Sequence, residues 1–236
     1  MKIIDFYGIP GCGKSTISHL MANLLRKQDF IAYEPSYELD HGNHVYIRKI
    51  KKIAMSIQWS LLNIMKIIRI YKLVNNHRLP FSELVNEIVN IAVKAYFVDK
   101  YKDRGGKYYL IFDEGLTQAV ISMRNSNSAT IRNELMNLES IIYGGEYAYR
   151  VYLNVDIETA MQRLEGRLEK DSRVERVSSM KSKRSMMVKY KKNCKSVNVM
   201  NSILIEENKQ SADSVAYMLG IILPNGDKYE NSTSDK

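Results

Sequence analysis

The chain has 236 residues, 45% of them hydrophobic, which is enough for one α/β domain with a buried sheet, and no stretch reads as a linker between two cores. Only two cysteines occur, and Cys12 lies inside a glycine-rich loop, so a disulfide framework is excluded and a reducing, cytoplasmic setting is expected. The net charge of +9 favours anionic partners, from nucleotides to nucleic acid or a membrane surface, without choosing among them.

Lys2 to Tyr7 (KIIDFY) reads as a short buried strand, too short and too strand-like for a signal peptide. The next eight residues, Gly8-Ile9-Pro10-Gly11-Cys12-Gly13-Lys14-Ser15, satisfy the pattern G-x-x-x-x-G-K-[ST] at every constrained position. This is the P-loop pattern, and its chemistry accounts for its spelling. Gly8, Gly11 and Gly13 let backbone N–H groups approach phosphate oxygens with no Cβ in the way. Lys14 is placed to reach the β- and γ-phosphates, and the Ser15 hydroxyl to ligate Mg2+. Cys12 and Thr16 complete the expected nucleotide contacts. Lys14 to Lys27 reads as a helix with Ile17, Leu20, Met21, Leu24 and Leu25 on one face, so its positive end points at the anion.

Phe30 to Tyr33 forms a second strand that Pro35 stops, leaving Glu34 at the carboxyl end of a strand, where open α/β sheets bind ligands. Val45 to Asn75 is a long helical region with one break allowed. Ile50, Ile53, Ala54, Ile57, Leu61, Ile64, Met65 and Ile68 recur in it at helical spacing. Lys51, Lys52, Lys66, Arg69 and Lys72 interrupt it, so it does not span a bilayer. We expect it to pack on the core or over a substrate cleft. A peripheral membrane contact anchored by Trp59 is the lesser alternative.

A helix capped by Ser82 follows, ending near Lys102 before Gly105-Gly106. Lys107 to Asp113 (KYYLIFD) is a third strand with an aspartate at its carboxyl end. Downstream of a P-loop this is the Walker B arrangement, whose carboxylate holds the Mg2+. Helices over Leu116–Arg124 and Ser128–Tyr143, a strand over Tyr149–Val155 and a helix over Ile157–Arg167 capped by Asp156 come next. A basic helix to about Ser196, a strand over Ser202–Glu206 and a helix over Ala212–Leu223 capped by Ser211 complete the chain. Alternating strands and helices imply an α/β fold of three layers, α/β/α, with a five-stranded parallel sheet. Residues 1–224 form the single domain, 45–104 its helical substrate-side region, and 225–236 a tail.

Arg163, Arg167, Arg173 and Arg176 follow the fourth strand closely. Phosphoryl transfer asks mainly for alignment and for positive charge around the equatorial oxygens. Arginines on a lid, here 163–177, supply that charge and expel water on closing.

The order of these parts resembles the thymidylate kinase-like branch of the P-loop nucleoside and nucleotide kinases. The P-loop, Glu34-Pro35, Asp113, the run VYLNVDIETAMQRLEGR and Arg173-Val174-Glu175 carry the resemblance. It implies ATP- and Mg2+-dependent phosphoryl transfer to a small-molecule acceptor, a nucleoside monophosphate most directly. It would put Glu34 beside the acceptor as contact or base, Ser15 and Asp113 on Mg2+, Arg173 against the transferred group and Arg167 on the nucleotide. The adenine would lie between the lid and residues 206–211.

The chain departs from the family where Glu114-Gly115 follows Asp113 in place of an arginine, and where Glu34-Pro35-Ser36 lacks a glycine. Another hydroxyl or phosphate acceptor therefore stays open, as does Glu114 as the base and a homodimer as the assembled state. The rival class is a P-loop ATPase acting as a switch or adaptor. A GTPase is disfavoured, because Asn208-Lys209-Gln210-Ser211 lacks the aspartate that reads guanine. A nucleic-acid partner on the helix from Lys181 to Lys195 is disfavoured because no aromatic stacking pattern accompanies it.

Overall fold

In a computed structural model of the protein, residues 1–40, 45–123, 128–144, 148–166, 179–198, 202–206 and 212–223 are described. The first strand, β1 (Lys2–Gly8), is buried at every position after Lys2, and a strand so apolar on both faces is stable only in the middle of a covered sheet. It occupies the centre of the order β2-β3-β1-β4-β5. The other strands are β2 (Ile31–Tyr33), β3 (Tyr108–Phe112), β4 (Ala148–Asn154) and β5 (Ile203–Glu206).

All pairings are parallel. β1 runs beside β3 from Lys2↔Tyr109 to Asp5↔Phe112, and beside β4 from Ile3↔Ala148 to Gly8↔Leu153. β2 pairs with β3, and β5 with β4. The chain thus builds one side of β1 first and then crosses to the other. That reversal opens a crevice at the carboxyl ends of the strands beside β1.

Helices cover both faces, as expected from the alternation of elements. Against one face, α1 (Lys14–Lys27) packs with α10 (Ala212–Ile222). Against the other, α6 (Leu116–Ser122) and α9 (Met180–Asn198) pack on β1, backed by α5 (Phe81–Tyr101) and α7 (Ser128–Ile142). A further helix, α8 (Ile157–Glu165), follows β4 and starts as predicted, with Asp156 Oδ2 accepting from the Glu158 N–H at 2.9 Å.

Three local expectations are corrected. Pro35 ends β2 but also opens an unforeseen helix, α2 (Pro35–Asp40); proline suits the first position of a helix, where no N–H is needed. Ser82 is not a cap, because α5 already begins at Phe81 behind Pro80. The predicted cap Ser211 lies outside the described residues.

The third correction concerns residues 45–75, which form α3 (Val45–Leu62) and α4 (Ile64–Asn75), bent by 115°. At the break Asn63 donates its side-chain amide to the Trp59 carbonyl at 3.1 Å and accepts at its own carbonyl from Ile67 N–H at 3.0 Å. Trp59 is buried, and its indole N–H donates to Asp99 Oδ2 on α5 at 2.8 Å. It is therefore no membrane anchor. The apolar series Ile50, Ile53, Ile57 and Leu61 lies on the outward side of α3 instead of on the core. The helix has two apolar faces, and the one with the largest aromatic side chain and a ready acceptor for its N–H takes the core.

This orientation predicts an asymmetry between neighbours. Trp59→Ala should lower the unfolding free energy by about 3–5 kcal/mol, whereas Ile57→Ala should change it by about 0.5 kcal/mol or less. Denaturant unfolding followed by circular dichroism measures both, and equal losses would mean that the outward face is in the core.

Candidate active site

The loop after β1 is shaped by contacts that leave its mouth open to an anion. Gly13 takes the cap position of α1 with φ 94°, no side chain caps the helix, and its first turn carries no acidic residue. Neither a capping side chain nor a first-turn carboxylate therefore competes for the first N–H groups of α1, which suits anion binding at a helix start. Gly11 (φ 83°) lies so close to α8 that a Cβ there would collide with the Ala160 carbonyl. The Gly8 N–H donates to Gln118 Oε1 on α6 at 3.1 Å. Cys12 turns its thiol into the core, where burial pushes its pKa up, and its N–H closes a turn on the Ile9 carbonyl at 3.2 Å. Cys12 thus shapes the loop from beneath, while Thr16 stands exposed in the first turn of α1.

Lys14 lies over this loop, nearly buried, donating to the Gly8 carbonyl at 3.3 Å and more weakly to that of Ile9 at 3.5 Å. Glu114 Oε1 is 3.7 Å from its Nζ. Burial pulls the ammonium down, but its surroundings, the Glu114 and Asp113 carboxylates among them, more than reverse this and hold it above the ordinary lysine value.

Ser15 Oγ donates to Asp113 Oδ2 at 2.8 Å, joining the P-loop to the end of β3. The other oxygen, Asp113 Oδ1, is buried with no hydrogen-bond partner. A hydroxyl beside a carboxylate with an unsatisfied oxygen fits a hard cation that takes oxygen ligands. Among the described residues no group of three or more His, Cys, Asp or Glu is placed to hold a metal. The Ser15–Asp113 pair, with its unsatisfied carboxylate oxygen, fits Mg2+, which is bound through one or two carboxylates together with phosphate oxygens.

Glu34 is buried just beyond β2. Its carboxylate is held by Arg26 at 3.1 Å and by His19 Nδ1 at 3.2 Å, both reaching in from α1. Arg26 is itself fixed, its Nε and Nη2 donating to the Ala32 carbonyl at 3.1 and 2.8 Å, and His19 stacks on Tyr37 of α2 with ring centroids 4.1 Å apart. Glu34 lines a cavity of about 150 Å3 with Ser15, Ser18, Ser36, Tyr37, Ile111 and Asp113.

The fold thus brings Lys14, Ser15, Asp113 and Glu34 to one end of the sheet. Arg167 and Arg173, with residues 167–177 of the lid segment, lie outside the described residues. His19, Arg26, Ser36 and Tyr37 were missed by the sequence reading. His19 and Arg26 stand seven apart on α1, and that spacing on one helical face was the available signal. Nothing comparable announced α2. Also missed was Lys94 of α5, which donates to the Asn90 carbonyl at 3.4 Å; burial lowers its pKa, opposed by the nearby Glu87 and Glu114.

Beneath the site, Asp5 of β1 is fully buried, and its Oδ2 accepts from the Thr117 N–H at 2.9 Å and the Thr117 hydroxyl at 2.8 Å. A Cβ at Gly115 would run into this carboxylate, so the turn Asp113-Glu114-Gly115 is pressed onto β1. Burial pushes the Asp5 carboxyl up to about 6. Its folded-state proton is bound more tightly than in the unfolded chain, so its contribution to stability is full below about pH 4 and is lost as pH rises through about 6. The loss should be on the order of 3 kcal/mol. Urea midpoints measured across pH 4 to 7 should fall less steeply in Asp5→Asn than in the wild type, and identical slopes would assign the proton to another group.

The Walker-type loop, the strand-borne aspartate and the all-parallel sheet together make this the P-loop kinase fold. No protein-family model matches the chain, and no curated protein matches it by sequence. Among solved structures it is similar to a deoxyadenosine kinase from M. mycoides with bound dATP, with a TM-score of 0.52 at 16% identity over 94% of this chain and 99% of that one. Structures of the same enzyme with dCMP and dCDP and with dCTP match at TM-scores of 0.48 and 0.43, each at 15% identity, over 94% of this chain and 98% of the other.

Proposed function

We propose that the protein is an ATP- and Mg2+-dependent kinase that phosphorylates a hydroxyl of a nucleoside-class small molecule. The observation that carries this reading is the cavity joining Glu34 to the Ser15–Asp113 pair, which sets a buried carboxylate beside the place where the P-loop would hold the γ-phosphate. Catalysis of this kind is mostly positioning and charge. The loop N–H groups and Lys14 bind the phosphates and fix their direction. Mg2+ on Ser15 and Asp113 would neutralise charge on the phosphate oxygens. Glu34 accepts the proton of the acceptor hydroxyl as that oxygen bonds to the γ-phosphorus and the bond from the γ-phosphorus to the β–γ bridging oxygen breaks, with ADP leaving; Arg26 and His19 hold the carboxylate in place. Glu114 faces Lys14 on the phosphate side, which favours Glu34 as the base. Arg173 and Arg167 remain the candidates for the charge closing over the transferred group.

Among the described residues, no Lys or Arg lines the cavity. A nucleoside monophosphate would bring a second phosphate to a wall of serines, a tyrosine and two carboxylates, whereas a neutral hydroxyl suits it. The likeness to a deoxyadenosine kinase supports the same choice.

ADP release from Mg·ATP, measured with panels of nucleosides, nucleoside monophosphates and sugars, tests the proposal. A nucleoside should stimulate it. Lys14→Ala should abolish the stimulation, and Glu34→Gln should lower kcat by about 10²–10⁴-fold with little change in KM for ATP. Stimulation by monophosphates alone would return the assignment to the thymidylate kinase-like class. Slow hydrolysis that no acceptor changes would make the protein a switch or adaptor.

A further inference from the structure

Residues 45–80 contain eight Lys or Arg and no Asp or Glu. Over the same stretch the structure leaves a series of large apolar side chains in water. Tyr46, Ile50, Ile53, Ile57 and Leu61 follow each other at steps of three or four along α3, with exposures of 76, 66, 49, 55 and 69%. Leu62, Ile64 and Met65 carry the series around the bend into α4 at 79, 58 and 68%. Scattered apolar residues on a surface are ordinary, but a continuous helical face of this size marks a contact site. The face does not serve the fold, because α3 is already seated through Trp59 on its other side. Exposed Lys49 and Lys51 accompany the series on α3, and exposed Arg69 and Lys72 follow on α4. Lys66 lies nearer the core side, leaning on the Trp59 ring and standing 3.9 Å from Asp99.

We propose that the outward face of α3, with the α3–α4 bend, is a docking surface for an anionic lipid bilayer. The combination of charge and apolarity selects the occupant. In a two-fold contact between copies of this chain the same cations would meet with no acid in the segment to pair them. A nucleic acid would use the cations and leave the isoleucines and leucines wet. An anionic bilayer surface takes both, the apolar side chains at the boundary of the headgroups and the Lys and Arg against the phosphates. Neither helix alone is long and apolar enough to cross a membrane, and the two reach that length and apolarity only together, across a 115° bend; with its other side seated on α5 through Trp59, α3 would lie along the surface. This surface is independent of the phosphoryl-transfer reading.

The test is co-sedimentation of the full chain with vesicles of phosphatidylcholine alone and of phosphatidylcholine with about 30% phosphatidylglycerol, at low and high salt. The protein should bind the anionic vesicles and be weakened by salt. Ile50→Ser with Ile57→Ser, and separately Lys49→Ser with Lys51→Ser, should each reduce vesicle binding by about tenfold while leaving the thermal melt unchanged. Wild-type protein that stays in the supernatant would overturn the proposal. So would loss of binding in the lysine pair alone, which would reduce the effect to adsorption of a basic protein. A dimer by sedimentation velocity that the isoleucine pair converts to monomer would assign the face to a second copy and overturn it as well.

Discussion

The parallel pairing of β1 with β3 is the constraint on which the site depends. It ends one strand in Gly8 and the other just before Asp113, and thereby brings the start of α1 within hydrogen-bond reach of the Asp113 carboxylate. The register is held by more than ladder hydrogen bonds. Asp5 sits in the middle of β1 and takes two hydrogen bonds from Thr117, three residues beyond the Glu114 that faces Lys14. A buried carboxylate is costly unless it is hydrogen-bonded. Placed here, it fixes the turn through which β3 enters α6, and Gln118 of α6 in turn holds the first N–H of the P-loop.

A second support runs through α1. The helix whose start carries Lys14 and Ser15 also sends His19 and Arg26 to Glu34. Lys14 and Ser15 on the one hand and Glu34 on the other are therefore positioned by a single rigid element. For the proposed reaction such an arrangement would keep the groups aligned without relying on loops, and alignment supplies much of what phosphoryl transfer needs.

Residues 45–75 show how burial is decided by competition. Both faces of α3 are apolar enough to serve as a core, and the spacing of Ile50, Ile53, Ile57 and Leu61 is as regular as that of any buried helix. Only one side can meet α5. Trp59 wins because its area is large and Asp99 accepts its N–H, so the isoleucine series faces outward among lysines. The outcome leaves a basic apolar surface joined to the kinase-like body.

The P-loop, the strand ending in Asp113, the position of Glu34 and the five-stranded parallel plan were legible in the chain, because each rests on local rules: glycine where the backbone must approach an anion, apolar runs of strand length, and proline where a strand stops. Asp156 as a cap was legible for the same reason. The strand order, the tie from Glu34 to Arg26 and His19, the anchoring of Gly115 by Asp5 and the side of α3 that faces the core were decided by the tertiary structure alone. These depend on contacts between residues distant in sequence, as Asp5 is from Thr117 and Trp59 from Asp99. Periodicity shows that a helix has an apolar face, and only packing decides which face finds a partner.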